Sequence, residues 1–199
     1  MLDAPPVLVA FAARPADTQH LGAALARLLR PGDTVLLGGE LGAGKTTFTQ
    51  GLAGALGVTG PVTSPTFVLL HSYRTGAGWD LLHADVWRLK QLQEVIDLAI
   101  PELLEEGAAA VVEWGELAAP VLPPDCLYVT ISFEPAQLPP ATTGAEPAVP
   151  PRTAAMARVP VPPGESDDTG AGGVRRVEFR AVGRSWLSRV EELSDLTAS

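Results

Sequence analysis

The run Gly39-Glu-Leu-Gly-Ala-Gly-Lys-Thr46 fits the pattern G-x-x-x-x-G-K-[ST], and the chemistry that pattern performs is gripping a phosphate chain. Glycines at 39, 42 and 44 let the backbone wrap closely with its amides turned inward, and the intervening Leu41 and Ala43 belong to the same binding loop. Lys45 is long enough to reach β- and γ-phosphates, and the Thr46 hydroxyl suits Mg²⁺. A helix opening near Lys45 adds the positive end of its dipole to the same place.

Hydrolysis of a held phosphate also needs an acid, either for Mg²⁺ or for the attacking water. Glu113 closes the apolar run Ala108–Val112. That is the layout of a buried strand carrying a carboxylate at its C-terminal end, where a parallel sheet also opens its phosphate loop. A solvent-facing strand-end acid is the plainer reading of the same residue. Asp85 follows the strand-like Trp79–Ala84 and serves either this chemistry or the N-cap of the next helix; the two roles are compatible. Thr66, in Ser64-Pro-Thr66, offers a hydroxyl of the kind that senses a γ-phosphate in switch loops, or forms a simple strand-entry turn. His83 and Trp87 read as packing residues and Trp114 as the support of the turn after Glu113. His20, His71 and His83 show no metal-ligand spacing.

Missing residues discriminate as well. No Lys or Arg occurs between Lys90 and Arg152. This argues against the arginine-bearing lid that a small-molecule kinase closes over its phosphates. It also predicts slow turnover without help supplied in trans. Lys90 is followed by Gln91-Leu92, so the Asn/Thr-Lys-x-Asp element that reads guanine is absent and ATP is the expected nucleotide. Lys45 is one of only two lysines, Lys45 and Lys90.

The chain has 199 residues and a net charge of −9. That length supports one domain with a proper core, and that charge argues against a broad nucleic-acid-binding face, so any nucleic-acid role would need a partner to supply the contacts. The single cysteine, Cys126, excludes an internal disulfide and suits a reducing cytoplasm. Met1-Leu-Asp-Ala-Pro-Pro6 lacks the basic start of a signal peptide, and no apolar run approaches the roughly 20 residues of a membrane span.

The elements that must position these residues follow from periodicity and punctuation. Val7–Phe11 reads as a strand. A helix then opens at Pro15-Ala-Asp17-Thr18, with Asp17 or Thr18 as N-cap, buries Leu21, Leu25, Leu28 and Leu29, and stops at Pro31-Gly32. Thr34–Leu37 is the strand before the phosphate loop, and Thr46–Leu56 the helix after it. Strands are expected at 67–73 and 79–84, paired as a hairpin around Gly76-Ala-Gly78, then helices at 89–98 and 101–106, and strands at 108–112 and 127–133. Residues 134–173 hold nine Pro and five Gly, about a third of the segment and above the low-complexity threshold. They read as a flexible insert without a packed core. A strand at 174–182 and an amphipathic helix at 185–196 follow. The expected organisation is therefore a core over 1–133, the insert over 134–173, and a strand and helix over 174–199 that complete the same domain. The expected fold is α/β, a mostly parallel sheet with helices on both faces and an antiparallel hairpin.

Four motifs together, Leu41-Gly-Ala-Gly-Lys-Thr-Thr-Phe48, Ser64-Pro-Thr-Phe67, His83-x-Asp85-x-x-Arg88 and Val112-Glu-Trp114, resemble in order and spacing the TsaE (YjeE) family. These are small bacterial P-loop ATPases of tRNA threonylcarbamoyladenosine synthesis. The resemblance covers about residues 7–133 and more loosely the final strand and helix. It implies an ATPase that works with TsaB-like and TsaD-like proteins, the latter carrying out the transfer to tRNA while the ATP cycle drives or resets the assembly. Carried onto this chain, it implies phosphate binding by Lys45, Mg²⁺ binding by Thr46 and Glu113, hydrolysis and metal support by Asp85, and a switch-like place for Thr66. Thr47 and Thr18 become further nucleotide contacts. Trp87 stands where the family usually has Tyr, and Gly115 where it has Pro. A small-molecule kinase and a nucleotide-gated adaptor with little hydrolysis remain the alternatives.

Overall fold

The structure, a computed structural model, describes residues 6–115, 117–134 and 173–197. Its elements in chain order are β1 (Leu8–Ala12), α1 (Pro15–Ala26), β2 (Thr34–Gly38), α2 (Lys45–Ala55), β3 (Leu70–Arg74) and β4 (Asp80–Asp85). After these come α3 (Leu92–Ile96), α4 (Ile100–Glu105), β5 (Ala109–Glu113), β6 (Cys126–Phe133), β7 (Arg175–Val182) and α5 (Arg184–Thr197).

One seven-stranded sheet runs in the order β1-β7-β6-β2-β5-β4-β3. Its central strands β6, β2, β5 and β4 are parallel neighbours. β2 and β5 are apolar almost without interruption and buried along their length, as strands covered on both faces must be. The flanks are antiparallel: β3 pairs with β4, and β7 lies between β6 and β1. The α/β fold with helices on both faces is as expected from sequence, with the parallel part confined to the centre.

The two faces have separate cores. Leu21, Leu25, Phe48, Leu52, Trp186 and Val190 of α1, α2 and α5 pack on Leu37, Val111, Val129 and Phe179. Val95, Ile100 and Leu104 of α3 and α4 pack on the alternate residues Leu36, Leu82, Ala110 and Val112. α1 lies directly on α2 because glycines remove the side chains between them. A Cβ on Gly22 would stand 2.1 Å from the Phe48 carbonyl oxygen, and one on Gly51 would stand 1.9 Å from that of Gln19.

Several local expectations are corrected. α1 starts at Pro15 with Arg14 as N-cap, not Asp17 or Thr18. Asp17 instead reaches back from the first turn, its Oδ2 accepting from the amides of Ala13 (3.1 Å) and Arg14 (2.9 Å) while Oδ1 pairs with the Arg14 guanidinium. Burial pushes the Asp17 carboxyl up, but Arg14 and the two amides outweigh it and hold it below the usual carboxylate range. A carboxyl depressed in the folded state contributes stability that is present above its unfolded value and lost as pH falls through its folded one. Asp17→Ala is expected to destabilise the fold by about 1–2 kcal/mol at neutral pH, and thermal unfolding at pH 7 and in acid should show that difference shrinking as pH falls.

The strand expected at 67–73 begins only at Leu70. The amides of Val68 and Leu69 both donate to the Pro65 carbonyl, closing a turn with Leu69 at φ 68°. Phe67 and Val68 are thereby exposed, although their composition alone is β-prone. The helix expected at 89–98 is confined to Leu92–Ile96, because the chain turns again at Ala99 with φ 53°. Of the expected insert only Glu134 and Gly173 are described; the expectation for 135–172 lies outside the described residues. β6 and β7 nevertheless meet at that end of the sheet, Phe133 opposite Arg175. No helix among the described residues is long and apolar enough to cross a membrane.

Candidate functional site

The site follows from strand register. Leu37 of β2 stands level with Glu113 of β5, and Glu113 level with Asp85 of β4. Both acids therefore end their strands beside the point where β2 runs into the phosphate loop, on the α2 face of the sheet. A slip of one residue in either ladder would turn an acid to the opposite face.

The loop depends on its glycines at two points in particular. Gly44, the residue before α2, has φ 115°, where a side chain is strained. Gly39 has φ 129°, and a Cβ there would stand 2.0 Å from the Ile131 carbonyl oxygen. The loop then opens onto a cavity of about 460 Å³, lined by Leu41, Gly42, Gly44, Lys45, Thr46, Thr47, Ser64, Thr66, Asp85, Trp87, Arg88, Glu113 and Trp114.

Within it the polar side chains are already joined. The Lys45 ammonium donates to the carbonyls of Gly39 (2.8 Å) and Glu40 (3.0 Å) and sits 4.0 Å from the centre of the Trp114 ring. Burial pushes Lys45 below the ordinary lysine range, while Glu113, Asp85 and Glu40 pull it back up. Thr46 Oγ1 donates to Glu113 Oε1 at 2.8 Å, and His83 Nε2 bonds the same oxygen at 2.9 Å. Thr66 Oγ1 donates to Asp85 Oδ2 at 2.6 Å and bonds Ser64 Oγ at 2.6 Å. Asp85 Oδ1 accepts from the Trp87 amide at 2.9 Å, so Asp85 both shapes the chain after β4 and faces the cavity. It does not cap α3, which starts later.

Most of the residues singled out from sequence thus converge: Leu41, Gly42, Gly44, Lys45, Thr46, Thr47, Thr66, Asp85 and Glu113 share one cavity wall. Gly39, Ala43 and Thr18 do not line it. Gly39 turns the loop and gives its carbonyl to Lys45. Ala43 is buried and its amide donates to the Glu40 carbonyl. Thr18 is buried in α1, its methyl 3.6 Å from where a Cβ on Gly44 would stand.

Other residues were missed. His83 packs, as expected, but also holds Glu113. Trp87 and Trp114 pack on the cavity wall with ring centroids 4.4 Å apart and planes tilted by 43°, Trp114 at φ 60°. Arg88, which precedes the stretch without Lys or Arg, lines the cavity, its guanidinium 4.7 Å above the Phe67 ring. The signal for His83 and Arg88 is the motif His83-x-Asp85-x-x-Arg88, in which His83 reads only as packing and Arg88 carries no assigned role.

The donor set fits the expected ligands. The Thr46 hydroxyl and the carboxylates of Glu113 and Asp85 are hard oxygen donors facing one space, the kind Mg²⁺ takes together with phosphate oxygens. Lys45 and the start of α2 supply the positive side of the same space.

Comparisons with known proteins bear on the family of the chain. A family model described as "Threonylcarbamoyl adenosine biosynthesis protein TsaE" matches residues 12–138. A tRNA threonylcarbamoyladenosine biosynthesis protein TsaE of Streptomyces coelicolor is 49% identical over 115 residues, 57% of this chain and 77% of that protein. The TsaE of Bacillus subtilis is 39% identical over 117 residues, 59% and 72% of the two chains. The crystal structure of Bacillus subtilis YdiB is similar with a TM-score of 0.62 at 28% identity, over 94% of each chain.

Proposed function

This chain belongs to the TsaE family, and from that premise we propose that it is a Mg²⁺-dependent ATPase of tRNA threonylcarbamoyladenosine biosynthesis. The observation that carries the reading is the convergence of Lys45, Thr46, Asp85 and Glu113 on one cavity at the C-terminal ends of parallel strands.

In this reading Lys45 leaves the Gly39 and Glu40 carbonyls for phosphate oxygens, exchanging two neutral acceptors for charged ones. Thr46 and Glu113 would hold Mg²⁺, with Asp85 beside them. Bound there, Mg²⁺ neutralises the charge that spreads over the phosphates during transfer. Asp85, held by Thr66 and the Trp87 amide, orients the attacking water and takes its proton. Arg88 supplies a second cation at the cavity mouth.

Leu41, Phe67, Val68 and Trp87 expose large apolar surface around that mouth, which supports a protein partner there. TsaB-like and TsaD-like proteins are the proposed partners, and with a net charge of −9 tRNA is met through them. Such work belongs in the cytoplasm, where a free buried thiol such as Cys126, pushed up to about 11 by burial, stays reduced.

Turnover of ATP by the purified protein, alone and with the TsaB- and TsaD-like proteins of the same organism, tests this. Slow turnover alone, a clear rise with partners and loss of both on chelating Mg²⁺ are expected. Rapid turnover indifferent to partners would keep an ATPase and remove its place in tRNA modification. No hydrolysis with partners present, alongside normal ATP binding, would favour the adaptor.

A further inference from the structure

His83 is fully buried, on the face of β4 that it shares with Leu81 and Asp85. Its Nε2 lies 2.9 Å from Glu113 Oε1, and its Nδ1 has no hydrogen-bond partner. A carboxylate only accepts, so Nε2 donates. A buried ring nitrogen without a partner is costly. An apolar side chain at this place, next to Leu81 and Val111, would avoid that cost. Packing therefore does not account for a histidine here.

What the imidazole does do is occupy one particular oxygen. Glu113 Oε1 receives both the Thr46 hydroxyl and His83 Nε2. With both donors on Oε1, Oε2 is left for the cavity that Glu113 lines. Thr46 reaches Glu113 from the first turn of α2, directly after the phosphate loop. His83 reaches it from β4, directly hydrogen-bonded to β5 in the sheet, and is the anchor that does not depend on the loop.

We infer that His83 is a positioning residue that holds Glu113 from the sheet side, so that Oε2 faces the phosphate cavity whether or not Thr46 is engaged there. This rests on the nucleotide reading above. His83 touches neither the nucleotide nor the metal; it acts through Glu113. When Thr46 turns to a metal, the His83 bond is what keeps Glu113 from rotating away.

The test compares wild type with His83→Leu and His83→Gln, the latter keeping an N–H near the position of Nε2. Three quantities are measured: ATP turnover, Mn²⁺ affinity of the complex with a non-hydrolysable ATP analogue by electron paramagnetic resonance, and thermal unfolding. His83→Leu is expected to lose about tenfold or more in kcat and severalfold in Mn²⁺ affinity, with KM for ATP little changed and Tm equal to or above wild type. His83→Gln is expected to recover most of both losses. Wild-type kcat and Mn²⁺ affinity in His83→Leu would overturn the inference. So would a fall in Tm that tracks the lost activity in both variants, since that marks a packing residue. If the wild type neither binds nor hydrolyses ATP, the nucleotide reading fails first and takes this inference with it.

Discussion

Lys45→Ala is expected to reduce ATP turnover by on the order of 10²–10³-fold and to weaken nucleotide binding, while leaving the fold close to wild type. The cavity around Lys45 is otherwise faced by Glu113 and Asp85, with Glu40 near, and these are the carboxylates that oppose its loss of charge on burial. Removing the ammonium leaves a phosphate chain to approach these acids with the loop amides, the end of α2 and Arg88 on the cavity wall in its favour, and no cation within the loop itself. The fold should tolerate the change because the Lys45 bonds go to carbonyls of its own loop, Gly39 and Glu40. Those carbonyls can take water instead. Titration with a fluorescent ATP analogue, steady-state turnover and thermal unfolding separate the two effects. Unchanged affinity and turnover would sink the phosphate-loop assignment.

Arg189→Ala should act in the opposite way, on stability and not on chemistry. The Arg189 guanidinium is buried and forms a bidentate pair with Asp33, Nη1 to Oδ2 at 2.6 Å and Nη2 to Oδ1 at 2.9 Å. Nη1 also donates to the Leu28 carbonyl and Nε to that of Ser185, and the group lies 4.0 Å from the centre of the Trp186 ring. One side chain thus ties α5 to the segment between α1 and β2. Truncating it leaves the Asp33 carboxylate and the Leu28 carbonyl short of a donor, and breaking such a pair costs about 3–5 kcal/mol. Even the lower figure corresponds to roughly 6–12 °C in Tm for a chain of this size. Urea unfolding should show the loss. ATP affinity of the folded fraction should be unaltered, because no atom of the pair lines the nucleotide cavity. A change below about 1 kcal/mol would show that α5 is held by its apolar face alone, through Trp186, Val190 and Leu193.

By itself the sequence determined which backbone pieces exist and which of them has the residue pattern of a phosphate loop. The phosphate loop, the strand before it and the helix after it were legible because glycine spacing, an apolar run and a Lys-Thr pair are local signals. So was the acid at the end of β5, since a buried run ending in a carboxylate is readable from one segment. Where local signals conflicted, the reading failed. Phe67 and Val68 look like strand, yet the Pro65 carbonyl captures both following amides and turns them out to solvent.

The tertiary structure decided what faces what. Leu37, Asp85 and Glu113 stand level only because β2, β5 and β4 are neighbours in that register. Arg88 reaches the cavity, and His83 reaches Glu113 from 30 residues away in sequence, through the same pairing. Arg189 and Asp33 lie 156 positions apart, and nothing in either segment specifies the other. The physical reason is that propensity and periodicity act over a few residues. Strand order and register bring distant segments within hydrogen-bonding distance, and they are set by how the whole sheet buries its two faces.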